Sequence, residues 1–152
     1  SSPPSAQRIF VAGATGFIGN AVVFALLEAG AHVTALIPAG RTLHSGTRHE
    51  RLRVVEGDAW NRGSLTGRSR GHQAVIHLVG SVREDPTRGH SYHHLNVDSL
   101  QNITRMAVGD GVPLFVYLSA AAAPWLRQPS TSPSPAANPM TRTARLAPAW
   151  AP

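Results

Sequence analysis

Three glycines stand three residues apart in the segment Gly13-Ala14-Thr15-Gly16-Phe17-Ile18-Gly19. Glycine lets backbone N–H groups close on a bulky anion, and a helix opening behind such a loop adds unpaired amides and the positive end of its dipole. The chemistry on offer is the binding of a pyrophosphate rather than the making of a bond. In that arrangement Gly13 makes the tight turn after a strand, Gly16 admits the pyrophosphate with no Cβ in its way, and Gly19 lets the helix sit against the sheet. Thr15, Phe17 and Ile18 complete the loop and supply the first helical amides. The competing reading is a turn kept for packing alone, and what favours a binding site is the context of strand, loop and helix.

Other residue types that could do chemistry are sparse. There is no cysteine, so no thiolate nucleophile, disulfide framework or Cys-based zinc site is available. All 14 basic side chains are arginine, which excludes any mechanism that needs a lysine within these residues. His90, His93 and His94 lie close together, and His90 with His94 has the spacing of a zinc helix, but no glutamate sits between them as the metalloprotease motif requires. A solvated helix start is the better reading. His77 falls on an apolar strand and reads as a hydrogen-bonded core residue. Trp60, Trp125 and Trp150 are too far apart to define an aromatic box.

The elements that must position the glycine loop follow from apolar periodicity. Arg8–Ala12 is a short buried strand running into the loop, and Phe17–Glu28 is a helix with Ile18, Val22, Val23, Ala25, Leu26 and Leu27 on its apolar face and Gly30 at its end. His32–Ile37 is a second strand, stopped by Pro38 and Gly40, and Leu52–Glu56 a third, leaving through Gly57-Asp58. Asn61–Arg70 is at best a short, glycine-weakened helix. Ala74–Val79 is a fourth strand, His90–Val108 a helix with Leu95, Leu100, Ile103, Met106 and Ala107 inward, and Leu114–Leu118 a fifth strand. Strands alternating with helices imply an α/β fold, a Rossmann-type doubly wound parallel sheet of about five strands in the order 3-2-1-4-5. Residues 1–7 read as an N-terminal extension and 8–119 as the dinucleotide-binding domain. Residues 120–152 hold seven of the 12 prolines and read as an irregular tail, either laid over a protein partner or marking a truncation or frame change.

The spacing Gly-x-x-Gly-x-x-Gly resembles the extended and atypical short-chain dehydrogenases, of the NAD(P)-dependent epimerase/dehydratase type. Further blocks agree in order and spacing: Glu56-Gly57-Asp58, Ala74-Val75-Ile76-His77-Leu78-Val79-Gly80, Asn96-Val97, and Phe115-Val116-Tyr117-Leu118-Ser119-Ala120. Ile37-Pro38 to Arg41 and Leu78-Val79-Gly80 look most like the branch containing the Rossmann-type accessory subunit of respiratory complex I and its bacterial relatives. The resemblance implies that Asp58 contacts the adenine edge, against a turn-capping carboxylate. It implies that Leu78, Val79 and Gly80 line the adenosine and nicotinamide side, with ordinary core as the alternative for Val79. Ser119 matches the serine that orients a substrate carbonyl, or else caps the strand exit. The family's Tyr-x-x-x-Lys pair is absent, because Tyr92 and Tyr117 both precede Ser119 and no lysine follows. A phenol with no cationic neighbour is a poor acid-base group at neutral pH.

No acid lies between His32 and Arg41 to accept from a ribose 2′-hydroxyl, whereas Arg41 could pair with a 2′-phosphate. The expected cofactor is NADP(H) in preference to NAD(H), with a plain solvated arginine as the alternative. The net charge of +6 comes from scattered arginines, and the one dense stretch, Arg48 to Arg70, is interrupted by Glu50, Glu56, Asp58 and hydrophobic positions, with the single aromatic Trp60 in place of an interleaved series. It reads as a solvated face, so nucleic acid is not an expected partner. No apolar run is long enough to span a membrane, and Ser1 to Gln7 does not look like a secretory signal, so cytoplasm or mitochondrial matrix is expected. Three functions fit: a catalytically degenerate cofactor-binding domain with a structural or sensing role in a larger assembly, the N-terminal portion of an active oxidoreductase or epimerase, or an NADP(H)-sensing regulator.

Overall fold

In the computed structural model, residues 6–44, 48–80 and 93–119 are described. β1 (Arg8–Ala12) lies at the centre, because its residues are apolar on both faces and only a doubly covered strand can bury both. It pairs in parallel with β2 (His32–Ile37) on one side and β4 (Ala74–His77) on the other. β3 (Leu52–Glu56) extends the sheet beyond β2 and β5 (Leu114–Tyr117) extends it beyond β4. The five strands are all parallel, in the order β3-β2-β1-β4-β5 expected from the sequence. Side chains alternate across β1. Ile9 and Val11 pack with Val23, Leu27, Val33, Ala35 and Leu43 on one face, while Phe10 and Ala12 pack with Leu65, Val75, Ile103, Met106 and Ala107 on the other.

The first of these faces is covered by α1 (Phe17–Glu28), whose buried residues are Gly19, Val23 and Leu27. The apolar face expected from the sequence is broader than the buried one, since Ile18 and Ala25 are exposed and Val22 and Leu26 only partly buried. α1 is apolar nearly all round, so its sequence does not single out the buried stripe; the sheet does. Its end is as expected. Gly30 takes φ +86°, and the amides of Gly30 and Ala31 donate to Leu27 O and Leu26 O, each at 3.0 Å. This double closure satisfies carbonyls that the helix leaves unpaired.

The opposite face is covered by α3 (Ser99–Gly109) and by α2 (Arg62–Leu65), a single turn capped by Asn61, whose Oδ1 accepts from the Gly63 amide at 3.0 Å. The helix expected over Asn61–Arg70 therefore shrinks to one turn; Gly67 and Gly71, at φ +76° and +74°, take the chain out of helical geometry. The helix expected over His90–Val108 is also revised. Residues 81–92 lie outside the description, and His94–Asp98 is a π-helical turn before α3 begins. There the buried Ser99 hydroxyl donates to Leu95 O at 2.6 Å. A back-bond of this kind competes with the helical ladder and suits a local widening of the turn.

The dense arginine stretch is not simply a solvated face. Arg51 donates through Nη2 to Leu27 O at 2.9 Å, at the carbonyl end of α1 where a cation is favoured. Among the described residues no helix is long and apolar enough to cross a membrane. The proline-rich tail expected over 120–152, the solvated loop that the polar run Arg83-Glu84-Asp85 leads one to expect, and His90, Tyr92, Trp125 and Trp150 all lie outside the described residues.

Candidate cofactor site

The three glycines are held for different reasons. Gly13 turns the chain at φ +86°, and a Cβ there would come within 2.6–2.8 Å of the Leu78 and Val79 backbone. A Cβ on Gly19 would lie 2.0 Å from Gly13 O. Gly19 is thus required by the loop's own backbone crossing over it, rather than by the sheet as the spacing suggested. Gly16 differs from both. Its φ is −72°, open to any residue, and a Cβ would meet nothing closer than Gly13 O at 3.5 Å, an ordinary contact. Among the described residues no neighbour demands a glycine at 16. What a side chain there would occupy is the mouth of the loop, where α1 begins and its first amides have no partner within the helix.

That mouth opens into a cavity of about 190 Å³ at the carboxyl ends of β1, β2, β3 and β4. Parallel strands place their ligands outside this edge of the sheet, where the strand order reverses. Six of the residues singled out from the sequence line it: Gly13, Thr15, Gly16, Leu78, Val79 and Gly80. The segment 78–80 can do so because β4 ends at His77, earlier than the expected Val79, and the chain leaves the ladder there. Leu78 and Val79 also pack against the two cores, so they serve as core and lining together. Gly80 is hemmed by Asn96 Oδ1, which would lie 2.7 Å from a Cβ.

Five further residues complete the lining: Leu36, Pro38, Gly57, Ala59 and Trp60. The sequence reading did not assign them to the site, although Gly57 and Pro38 flank residues that it did. Ala59 and Trp60 are placed by a heavily bonded turn. Ser64 Oγ lies 3.0 Å from Asp58 O and 2.8 Å from Asn61 O, its one proton shared between the two carbonyls, and Asn102 Nδ2 on α3 donates to Ala59 O and Trp60 O.

The remaining candidates stand outside the lining. Asp58 is exposed, and its Oδ1 accepts from the Trp60 amide at 2.8 Å, which is the turn-capping role. Arg41 is exposed three residues past the lining residue Pro38, and its amide closes a turn onto Pro38 O at 3.1 Å. Phe17 and Ile18 direct their side chains to solvent, so only their backbone amides face the loop's work. Ser119 is exposed, two residues beyond the end of β5.

His77, just below the cavity, corrects one expectation. It is fully buried, yet neither ring nitrogen has a hydrogen-bond partner among the described residues. Its ring lies against Phe115 and Tyr117, with centroids 6.4 and 5.8 Å away. Burial lowers its pKa from 6.5 to about 4, so the ring is neutral at physiological pH.

A doubly wound parallel sheet, a glycine turn at the head of the first helix and a cavity over the strand ends define a dinucleotide-type Rossmann domain. Residues 9–145 match the NAD dependent epimerase/dehydratase family, and the chain belongs to it. Cinnamoyl-CoA reductase 1 of Oryza sativa subsp. japonica is 32% identical over 133 residues, covering 84% of this chain and 38% of the relative. The Bordetella bronchiseptica enzyme WbmH, solved in complex with NAD+, superposes with a TM-score of 0.62 at 25% identity, covering 74% of this chain and 38% of that one. MoeE5, solved with UDP-glucose and NAD, superposes with a TM-score of 0.61 at 29% identity, covering 76% and 37%. The chain thus spans less than two fifths of the length of each of these relatives.

Proposed function

We propose that this chain is the cofactor-holding portion of an NAD(P)-dependent oxidoreductase or epimerase. The observation that carries the reading is Gly16: it lines the cavity and caps α1, and among the described residues nothing in the packing requires it to lack a side chain. An unforced glycine at the mouth of an anion-binding loop fits a ligand that must approach the backbone closely. In support, WbmH and MoeE5 were solved with NAD, and the rice relative is named as a reductase.

When bound, the nicotinamide dinucleotide supplies or accepts the hydride. This chain's own work is to bind and orient it. The amides at the start of α1 and of the glycine loop would hold the pyrophosphate, and Leu36, Pro38, Ala59 and Trp60 form an apolar wall suited to the adenosine. Asp58, with Oδ1 committed to its turn, has Oδ2 left to accept from the adenine amino group. Leu78, Val79 and Gly80 would flank the path toward the nicotinamide. Arg41 would pair with a 2′-phosphate, which favours NADP(H) over NAD(H). The Tyr-x-x-x-Lys pair lies nowhere in these 152 residues. Proton transfer in this reading is supplied from beyond them, and Ser119 would be the first substrate-facing hydroxyl.

A calorimetric titration of the chain with NADPH and with NADH, repeated on Gly16→Asp, tests this. Saturable binding by the wild type, lost in a variant that keeps its circular dichroism and melting temperature, is the expected result. Failure of the wild type to bind either cofactor would overturn it.

A further inference from the structure

We propose a second anion site on this chain, separate from the glycine loop: an arginine-lined cleft between α2 and α3 that takes a compact phosphate-bearing ligand of the diphosphate class. The cleft encloses about 200 Å³ and is lined by Arg62 at the start of α2, Arg70 on the following loop and Arg105 on α3. Its floor is apolar, formed by the buried Leu65 and Met106.

The charge in this cleft is unbalanced and partly pre-set. Asp110 is its one acid, and that carboxylate is already engaged. Its side chain is only 5% exposed, Oδ2 accepts from the Ser69 amide at 3.0 Å and the Ser69 hydroxyl at 2.7 Å, and Oδ1 lies 3.6 Å from Arg70 Nε. Three arginines therefore line a cleft whose one acid is already engaged by Ser69 and Arg70. Arg62 and Arg105 have no ion pair among the described residues. Arg70 is the oriented member. Asp110 lies against its Nε edge, while the rest of the side chain is largely exposed, 77% of it to solvent. A buried carboxylate beside one arginine, with two further arginines on the same cleft that have no ion pair among the described residues, is suited to forked recognition of phosphate oxygens. A diphosphate fits the enclosed volume and supplies enough oxygens for three guanidinium groups.

Pyrophosphate could also enter the glycine loop, so the experiment is run on the full chain carrying Gly16→Asp, which closes that loop. Inorganic pyrophosphate is titrated calorimetrically at near-physiological ionic strength, with orthophosphate and an aspartate-rich peptide as parallel ligands. Saturable one-to-one binding of pyrophosphate is expected, weakened about tenfold by Arg105→Gln and by Arg70→Gln. These side chains are exposed, so both variants should fold, and their melting temperatures check it. Absence of saturable binding, binding that both arginine variants leave unchanged, or binding of the acidic peptide alone would each overturn the proposal. Because the loop is closed throughout, the result does not depend on whether NADPH or NADH binds the other site.

Discussion

The side-chain amide of Asn102 donates to two successive carbonyls of the turn after β3, to Ala59 O at 3.2 Å and to Trp60 O at 3.1 Å. Two residues that wall the cavity are thereby tied to α3, an element on the far side of the chain in sequence. Replacing Asn102 with Leu should cost about 1–3 kcal/mol, since two carbonyls lose a partly buried donor. Asn102→Asp should cost more, because a carboxylate would face both oxygens. Denaturant unfolding ranks the two variants, and an equal cost for both would argue against the amide as the clasp.

The three glycines should separate cleanly by experiment. Gly13→Ala and Gly19→Ala place a Cβ 2.6 and 2.0 Å from backbone atoms and should destabilise severely, by several kcal/mol. Gly16→Ala meets only a 3.5 Å contact and should change stability by no more than about 0.5 kcal/mol while weakening cofactor binding. Thermal melts paired with NADPH titration distinguish the classes.

His77 should make the acid limb of stability steeper. Folded, it is neutral with a pKa lowered from 6.5 to about 4; unfolded, it regains its ordinary value near 6.5. Below 6.5 the unfolded chain takes up a proton that the folded chain refuses. Stability is therefore intact above that pH and declines as pH falls toward 4, by about 3 kcal/mol in total. His77→Leu should flatten this limb and also remove two buried nitrogens that have no hydrogen-bond partner among the described residues. Urea midpoints of both proteins between pH 4 and 7 make the comparison; parallel curves would show that His77 is not responsible.

Cofactor preference should move with Arg41. Arg41→Ala is expected to weaken NADPH by roughly tenfold, the worth of one charge-assisted contact, and to leave NADH nearly unchanged. Equal losses for both cofactors would assign Arg41 to the loop's fold rather than to the ribose phosphate.

Ser69→Ala should destabilise the chain by about 1–3 kcal/mol, because the buried Asp110 carboxylate loses its 2.7 Å hydroxyl donor. Nothing in the sequence pairs residues 69 and 110. The test is a guanidine melt, with Ser69→Thr as the variant that keeps the hydroxyl.

What the sequence determined by itself is whatever depends on short-range pattern. Short, nearly continuous apolar strands alternating with helices, punctuated by Gly30, Pro38 and Gly57, were enough for the parallel order β3-β2-β1-β4-β5, because right-handed crossovers leave few alternatives. The glycine loop was legible for the same reason: turn, phosphate approach and helix start need fixed residue types at fixed spacing. The tertiary structure decided what depends on partners distant in the chain. It chose Val23 and Leu27 as the buried stripe of an all-round apolar α1, since only the sheet supplies the face to be covered. It brought Trp60 into the cavity through a turn clasped by Asn102, left the His77 ring buried with no hydrogen bond among the described residues, and gathered Arg62, Arg70 and Arg105 around one cleft. Periodicity reports which side of an element is apolar; which residues meet across the fold is set by packing, and that has no signature in local spacing.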